Sequence, residues 1–237
     1  MKDINKLAGQ TLVYGLGTIV PRFLNYAVLT PFYTWIFNRA EYGIITELYA
    51  YMVFMMIVLT YGMETAFFRF AQKTGDSNKV FSTAMLSIII SSSFFLIFFN
   101  LFIDEVATVL RYEDQKLYLR LFAVILASDA ITAIPFAKLR RENKAFKFSV
   151  IKIINVVITI GLVLFFLKIE PALREKGRSI MGSLYNPGFG VGYVFLANAV
   201  GSLSMLFMLS GEIFAIRLKA DIKLWKKMMI YSLPLLV

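Results

Sequence analysis

The first apolar stretch of the chain, Leu7 to Phe37, carries an arginine near its middle. The stretch is long enough to cross a bilayer, since about 20 apolar residues suffice. Arg22 is therefore expected to lie within the membrane, where a charge costs about 2.5 to 3.5 kcal/mol on insertion scales. Such a charge normally faces a protein interior or a watery cavity, which makes Arg22 a candidate functional residue. The alternative is that Arg22 pairs with one acid and only locks helices together.

Small and polar residues accompany this arginine along one side of the helix. They follow one another at steps of four, three, four and three, and they are Thr11, Gly15, Thr18, Arg22 and Asn25. This spacing places them on a single helical face. Pro21 and Pro31 are each expected to remove a backbone hydrogen bond and to bend the helix. The sequence therefore predicts a bent helix that lines a cavity.

Two carboxylates stand out inside other apolar runs. Asp129 is expected at nearly the same depth as Arg22, so it is the first candidate partner of that arginine. Glu64 lies near the end of the second run. It could bind a coupling cation or a proton, or it could neutralise a lysine in the loop below, and the sequence leaves both interpretations open.

The composition indicates a polytopic membrane protein. Apolar residues make up 59% of the chain, and the mean hydropathy is +0.71. Cysteine and histidine are absent, which removes thiolate chemistry and the commonest general base and metal ligand. No cluster has the partners that nucleophilic or metal catalysis needs, so neither an enzyme nor a cofactor is predicted. The net charge of +10 does not indicate nucleic-acid binding, because the cations are gathered at the ends of apolar runs.

The apolar runs predict an all-α, polytopic membrane helix bundle with six complete spans and the start of a seventh. The runs are Leu7 to Phe37, Tyr42 to Phe68, Val80 to Phe102, Leu117 to Ala137, Phe148 to Leu167, Val191 to Ile216, and the segment from Met228 onward. Residues 1–216 would form the bundle, and residues 217–237 a basic linker with the start of helix 7. A chain ending there would leave unsatisfied carbonyls in the hydrocarbon region, so truncation is expected.

Two smaller features qualify this pattern. A long loop is expected from Lys168 to Gly190, where glycines and prolines accumulate. The hydroxyl residues Thr83, Ser87 and Ser91 follow one another at steps of four on the third helix. Such a ridge usually marks close helix packing rather than catalysis.

The distribution of basic residues predicts the orientation. With an intracellular N-terminus, 16 lysines and arginines fall on the inner side and 7 on the outer side. Cytoplasmic flanks of membrane spans are enriched in these residues. The N-terminus is therefore predicted to be cytoplasmic.

Three segments carry a resemblance to a known family. They are Gly15–Phe23 (GLGTIVPRF) with the later Glu41–Gly43 (EYG), Gly62–Phe70 (GMETAFFRF), and Pro135–Ala145 (PFAKLRRENKA). With the span pattern, they make the chain similar to the N-terminal half of bacterial oligosaccharide flippases of the multidrug/oligosaccharidyl-lipid/polysaccharide (MOP) superfamily. The resemblance implies two related helix bundles around a central cavity that opens to alternate sides.

The resemblance also implies a function. It is the translocation of an undecaprenyl-pyrophosphate-linked oligosaccharide, such as a lipopolysaccharide O-antigen or capsule unit, across the bacterial inner membrane. Arg22 would bind the pyrophosphate, with Asn25 and Thr18 beside it, because arginine recognises phosphate oxygens through two donors. Glycan polymerases and glycosyltransferases of the same pathway are the expected protein partners.

Two other classes of protein stay open at this point. A cation-coupled multidrug exporter of the same superfamily would need an acidic cavity, which Glu64 and Asp129 could supply. A membrane-embedded glycan polymerase or transferase would be an enzyme and would be expected to have a large external loop, whereas the longest loop here is modest.

Overall fold

The computed structural model describes residues 13–21, 23–216 and 221–236 of the 237. These residues are helical and contain no strand. The first predicted span comprises α1 (13–21 and 23–24), a π-helical stretch Asn25–Leu29 and α2 (Thr30–Ile36). The further helices are α3 (Arg39–Thr60), α4 (Met63–Lys73), α5 (Ser77–Leu101), α6 (Ile103–Leu110), α7 (Lys116–Arg141), α8 (Ala145–Leu164), α9 (Glu170–Glu175), α10 (Gly192–Met208), α11 (Ser210–Phe214) and α12 (Ile222–Ser232).

Helix α7 is the centre of the bundle. It packs against α3, α4, α5, α8 and α10. In its most apolar span-length window 61% of the residues are buried, against 22 to 28% for the windows of the other long helices. The outer helices thus turn most of their apolar surface outward, as expected for contact with lipid.

The number of spans differs from the sequence-based expectation. Among the described residues, four helical stretches are long and apolar enough to cross a membrane, namely Arg39–Lys73, Ser77–Leu101, Glu113–Arg141 and Ala145–Glu175. A fifth span results if Gly182–Phe189 and Gly192–Met208, which meet at a bend of 119°, are counted together. Six complete spans are therefore not established, and part of the first predicted span lies outside the described residues.

The second span is interrupted, although its sequence reads as one apolar run. Tyr61 and Gly62 both adopt left-handed backbone angles, with φ of 33° and 65°, and separate α3 from α4. Gly62 also lies against the backbone of Ser232 in α12, where an added Cβ would stand 2.9 Å from the carbonyl oxygen. Glycine is thus required at this position both for its conformation and for the close approach of α12.

The connection after α8 is shorter and more ordered than the predicted loop from Lys168 to Gly190. The helix continues through a π-helical stretch, Phe165–Ile169, into α9. Pro171 does not end the helix, and it lies where the π-helical stretch passes into α9. The helix therefore extends beyond Leu167, into the segment that was predicted to be a loop.

A buried carboxylate organises the connection that follows. Glu170 is 0% exposed. It accepts a hydrogen bond from the Ser179 hydroxyl. It also accepts from the backbone amides of Ile180 and Met181, and these two bonds are each 3.1 Å long. Arg174 donates to the carbonyl oxygens of Gly182 and Tyr185, at 3.2 and 3.4 Å. These bonds close the connection into a compact loop.

Replacing Gly62 by alanine should destabilise the fold more than the same change at Gly177. Both glycines have positive φ, but nothing lies within 4 Å of a Cβ at Gly177. Left-handed strain costs about 1–2 kcal/mol at each site, and only Gly62→Ala adds the collision with Ser232. Thermal unfolding in detergent should give a lower Tm for Gly62→Ala, and equal values would contradict this packing.

The orientation is testable because the chain contains no cysteine. Gly75→Cys, between α4 and α5, is expected to react with a membrane-impermeant maleimide only in inside-out vesicles. Lys176→Cys, after α9, should react in intact spheroplasts, because its flank carries fewer basic residues. Labelling of Gly75→Cys from the outside would reverse the predicted orientation.

Candidate functional site

A polar cavity lies between the first helix and α8. Its volume is about 250 Å³, and its lining includes Thr18, Pro21, Asn25, Lys152 and Asn155. Arg22 lies outside the described residues, so its contacts are not part of this description. Two residues of the predicted polar face, Thr18 and Asn25, line this cavity, and Thr11 also lies outside the described residues.

Asn25 connects this cavity to a second one. It begins the π-helical stretch Asn25–Leu29, which lies between Pro21 and Pro31. The second cavity has a volume of about 460 Å³ and is also lined by Tyr33, Tyr49 and Asn198. The predicted bend of the helix thus takes the form of a π-helical segment, a feature that is frequent at functional sites.

The first helix is held on α8 and on the end of α7 by close contacts. The Ser149 hydroxyl donates to the Val13 carbonyl at 2.8 Å, and the Tyr14 hydroxyl donates to the Leu139 carbonyl at 3.2 Å. Gly17 leaves no room for a side chain, since an added Cβ would stand 2.0 Å from the Ser149 Oγ. Backbone approach of this kind is typical of helix pairs in membranes.

Lys152, one of the 16 basic residues that the sequence analysis counted on the inner side, brings a cation to the cavity. Because α8 begins at Ala145, Lys152 lies about 10 Å along the helix. Its Nζ stands 4.2 Å from the centre of the Phe136 ring and 4.0 Å from the Met205 Sδ. The spacing of Lys152, Asn155 and Thr159 at steps of three and four could have revealed this polar face of α8.

Asp129 is buried on the neighbouring helix α7. Its Oδ1 is inaccessible and has no hydrogen-bond partner among the described residues, while Ser202 of α10 is its hydrogen-bonding neighbour. Among the described residues, Lys152 is the cationic side chain that interacts electrostatically with this carboxyl group. The sequence analysis did not foresee that pair, and the predicted pairing of Asp129 with Arg22 stays a prediction.

Glu64 lies apart from the cavity. It forms an ion pair with Arg140 at the end of α7, and the guanidinium group also lies 5.5 Å from the centre of the Phe68 ring. Both charged side chains are about one-third exposed, so the pair contributes little to stability. Of the two open interpretations, the contacts favour neutralisation of a basic residue, here an arginine.

Thr18 and Asn25 are both exposed at the cavity. The Thr18 hydroxyl donates to the Tyr14 carbonyl at 2.9 Å, which leaves its lone pairs available to accept. In the described part of the chain, no group of three or more acidic, histidine or cysteine side chains could hold a metal ion. The arrangement is suited to binding an anion through one cation with two side-chain amides beside it, and the Thr18 hydroxyl can accept from a neutral hydroxyl group.

Comparison with known families identifies the chain. The model of the polysaccharide biosynthesis protein family matches residues 35–171, which is more than half of the sequence. The chain belongs to this family. Its members are transporter-like membrane proteins rather than typical enzymes. Searches of curated proteins and of solved structures gave no match.

Gly17→Ala is expected to loosen the first helix from α8. The added methyl group would collide with Ser149, and overpacking of this kind costs about 1–3 kcal/mol. Gly15→Ala is the matched control, since nothing lies within 4 Å of its Cβ and alanine favours the helix. Thermal unfolding should show a loss of stability for Gly17→Ala only. A similar Tm for both variants would argue against the contact.

Proposed function

We propose that the protein moves an undecaprenyl-pyrophosphate-linked oligosaccharide, an O-antigen or capsule unit, from the inner to the outer leaflet of the bacterial inner membrane. The observation that carries this proposal is the polar cavity, which is lined by Lys152. This lysine lies within a helix of span length, in a protein of the polysaccharide biosynthesis family. A role in polysaccharide biosynthesis follows from the family. The lipid-linked substrate is the proposed refinement.

The charge of the cavity fits this substrate. A pyrophosphate that crosses the membrane interior needs a cation along its path, because an unpaired charge in hydrocarbon is costly. Lys152 supplies one as a compact point charge, and we assign the second to Arg22, whose planar group can hold two phosphate oxygens at once. Asn25 and Asn155 would donate hydrogen bonds to phosphate or sugar oxygens, and the Thr18 hydroxyl would accept one from a sugar hydroxyl.

Asp129 suggests how binding could be made reversible. The Asp129 carboxyl interacts electrostatically with Lys152, and wherever it is ionised it would oppose the charge of that lysine. An arriving pyrophosphate would compete with Asp129 for the ammonium group and so would not face an unopposed cation. This balance keeps affinity moderate, as transport requires release on the opposite side.

A multidrug exporter for cationic compounds fits the contacts less well. Such a cavity should present carboxylates, but the charged side chain in the described lining is Lys152. Glu64 is engaged by Arg140. Of the two predicted acids, Asp129 is the one that interacts electrostatically with a residue of the cavity lining, which is Lys152.

Lys152→Ala should reduce transport about ten-fold or more, since charge-assisted hydrogen bonds contribute about 1.5–3 kcal/mol each. Lys152→Arg should retain part of the activity. Arg22→Ala is expected to abolish transport, and Arg22→Lys to weaken it. The measurement is the leaflet distribution of lipid-linked oligosaccharide in cells that carry each variant of the native gene.

The matched control is Lys168→Ala. Lys168 belongs to the same continuous helical stretch, but its Nζ lies 5.5 Å from the centre of the Trp35 ring, outside the cavity lining. This variant should transport normally. Normal transport by both Lys152→Ala and Arg22→Ala would overturn the proposed site. An unchanged glycan pool with new sensitivity to cationic drugs would indicate the exporter instead.

A further inference from the structure

An apolar groove, separate from the two cavities described above, lies between α5 and α12. Its volume is about 490 Å³, within the range of small-molecule sites. The apolar walls are formed by Leu86, Ile90, Phe94, Ile222, Trp225 and Met229. Ile90, Phe94 and Ile222 are each 67% exposed, so the groove is open along its side.

The polar atoms of the groove are already bonded to one another. The Ser87 hydroxyl bonds the Tyr61 hydroxyl at 2.6 Å and the Trp225 indole N–H at 2.7 Å. The Ser91 hydroxyl lies 3.5 Å from the same Tyr61 oxygen. The Thr83 hydroxyl donates to the Lys79 carbonyl and accepts from the Asp221 amide. The hydroxyl ridge thus packs on α12, as its spacing predicted, and it leaves hydrocarbon walls for an occupant.

The shape of the groove suits a single hydrocarbon chain. Thr83 and Phe94, the first and last lining residues of α5, are separated by about 16 Å along the helix axis. Both α5 and α12 begin at the same end, where the Lys79 ammonium meets the Asp221 carboxylate at 2.6 Å. The groove therefore runs from a charged end toward the membrane interior.

The charged end has an excess of positive charge. The Lys79 hydrogen bond lowers the pKa of Asp221 to about 2, so this carboxylate stays ionised and neutralises Lys79. Lys226 lies one turn after Ile222, on the side of α12 that borders the groove. No ion pair joins Lys226 to a carboxylate in the described ranges. An anionic head group would complement this cation.

We infer that the groove is a binding site for an anionic membrane phospholipid, with one acyl chain between α5 and α12 and the head group at Lys226. The chain covers the exposed apolar walls. The head group meets a lysine whose charge is not balanced by Asp221. The site is separate from the polar cavity, and it does not depend on the transport activity proposed above.

Tryptophan fluorescence tests this site directly. The chain has two tryptophans, so Trp35→Phe leaves Trp225, in the groove wall, as the only emitter. The protein is reconstituted in phosphatidylcholine bilayers in which part of the lipid is replaced by dibrominated phosphatidylglycerol or dibrominated phosphatidylcholine. Bromine quenches indole emission on contact. Half-maximal quenching is expected at about a five-fold lower mole fraction of the anionic lipid, the preference that one lysine near the surface provides.

Two pairs of variants separate the head group from the chain. Lys226→Gln should remove the preference for phosphatidylglycerol, whereas Lys227→Gln, the same charge change on the opposite side of α12, should keep it. Leu86→Phe with Ile90→Phe should reduce quenching by both lipids by filling the groove. Ile97→Phe with Leu101→Phe, on exposed positions of α5 beyond the groove, should leave quenching unchanged.

Three results would overturn the inference. If quenching depended equally on the mole fraction of the two brominated lipids, the site would have no preference for an anionic head group. Full quenching in the filled variant would show that no chain occupies the groove. Relief of quenching by substoichiometric undecaprenyl phosphate would assign the groove to a polyisoprenyl chain instead of a phospholipid.

Discussion

The structure depends on one constraint, which is that polar groups inside a membrane must find partners within the protein. Helix α7 meets this constraint for the whole bundle, because it is buried among the surrounding helices and carries Asp129. The Asp129 carboxyl faces Ser202 of α10 and the charge of Lys152 on α8. A polar seam therefore connects three helices whose outer faces are apolar. The cavity beside the first helix adjoins this seam through Lys152.

The sequence was sufficient for the class of protein and for the helical character of its apolar runs. It was less informative about where helices break. The left-handed pair at Tyr61 and Gly62 interrupts an unbroken hydrophobic run, and what stabilises this break is the approach of Ser232, distant in sequence. Pro171 misled in the opposite direction, since the helix continues through this local helix breaker at the point where a π-helical stretch passes into α9.

The candidate site shows the same division between local and tertiary information. The spacing of Thr18 and Asn25 indicated a polar helical face, and the structure places both residues at a cavity. The choice of partners could not be read from spacing, because it depends on which helices pack together. Lys152 was therefore taken for a flanking charge, and Glu64 remained ambiguous until Arg140 was found beside it. The prediction from basic residues assumed that each helix begins where its apolar run begins. Helix α8 begins at Ala145, before its apolar run, so Lys152 lies well inside the helix.

The loop around Glu170 has a consequence for the surface of the protein. Its shape is fixed by a buried carboxylate and by the Arg174 hydrogen bonds to two carbonyl oxygens, not by contact with lipid. The loop therefore presents the same outline in detergent as in a bilayer. An antibody or nanobody raised against it would bind a conformational epitope within residues 174–185 and would no longer bind when the protein is denatured. Such a binder offers a rigid fiducial for imaging the protein in a membrane.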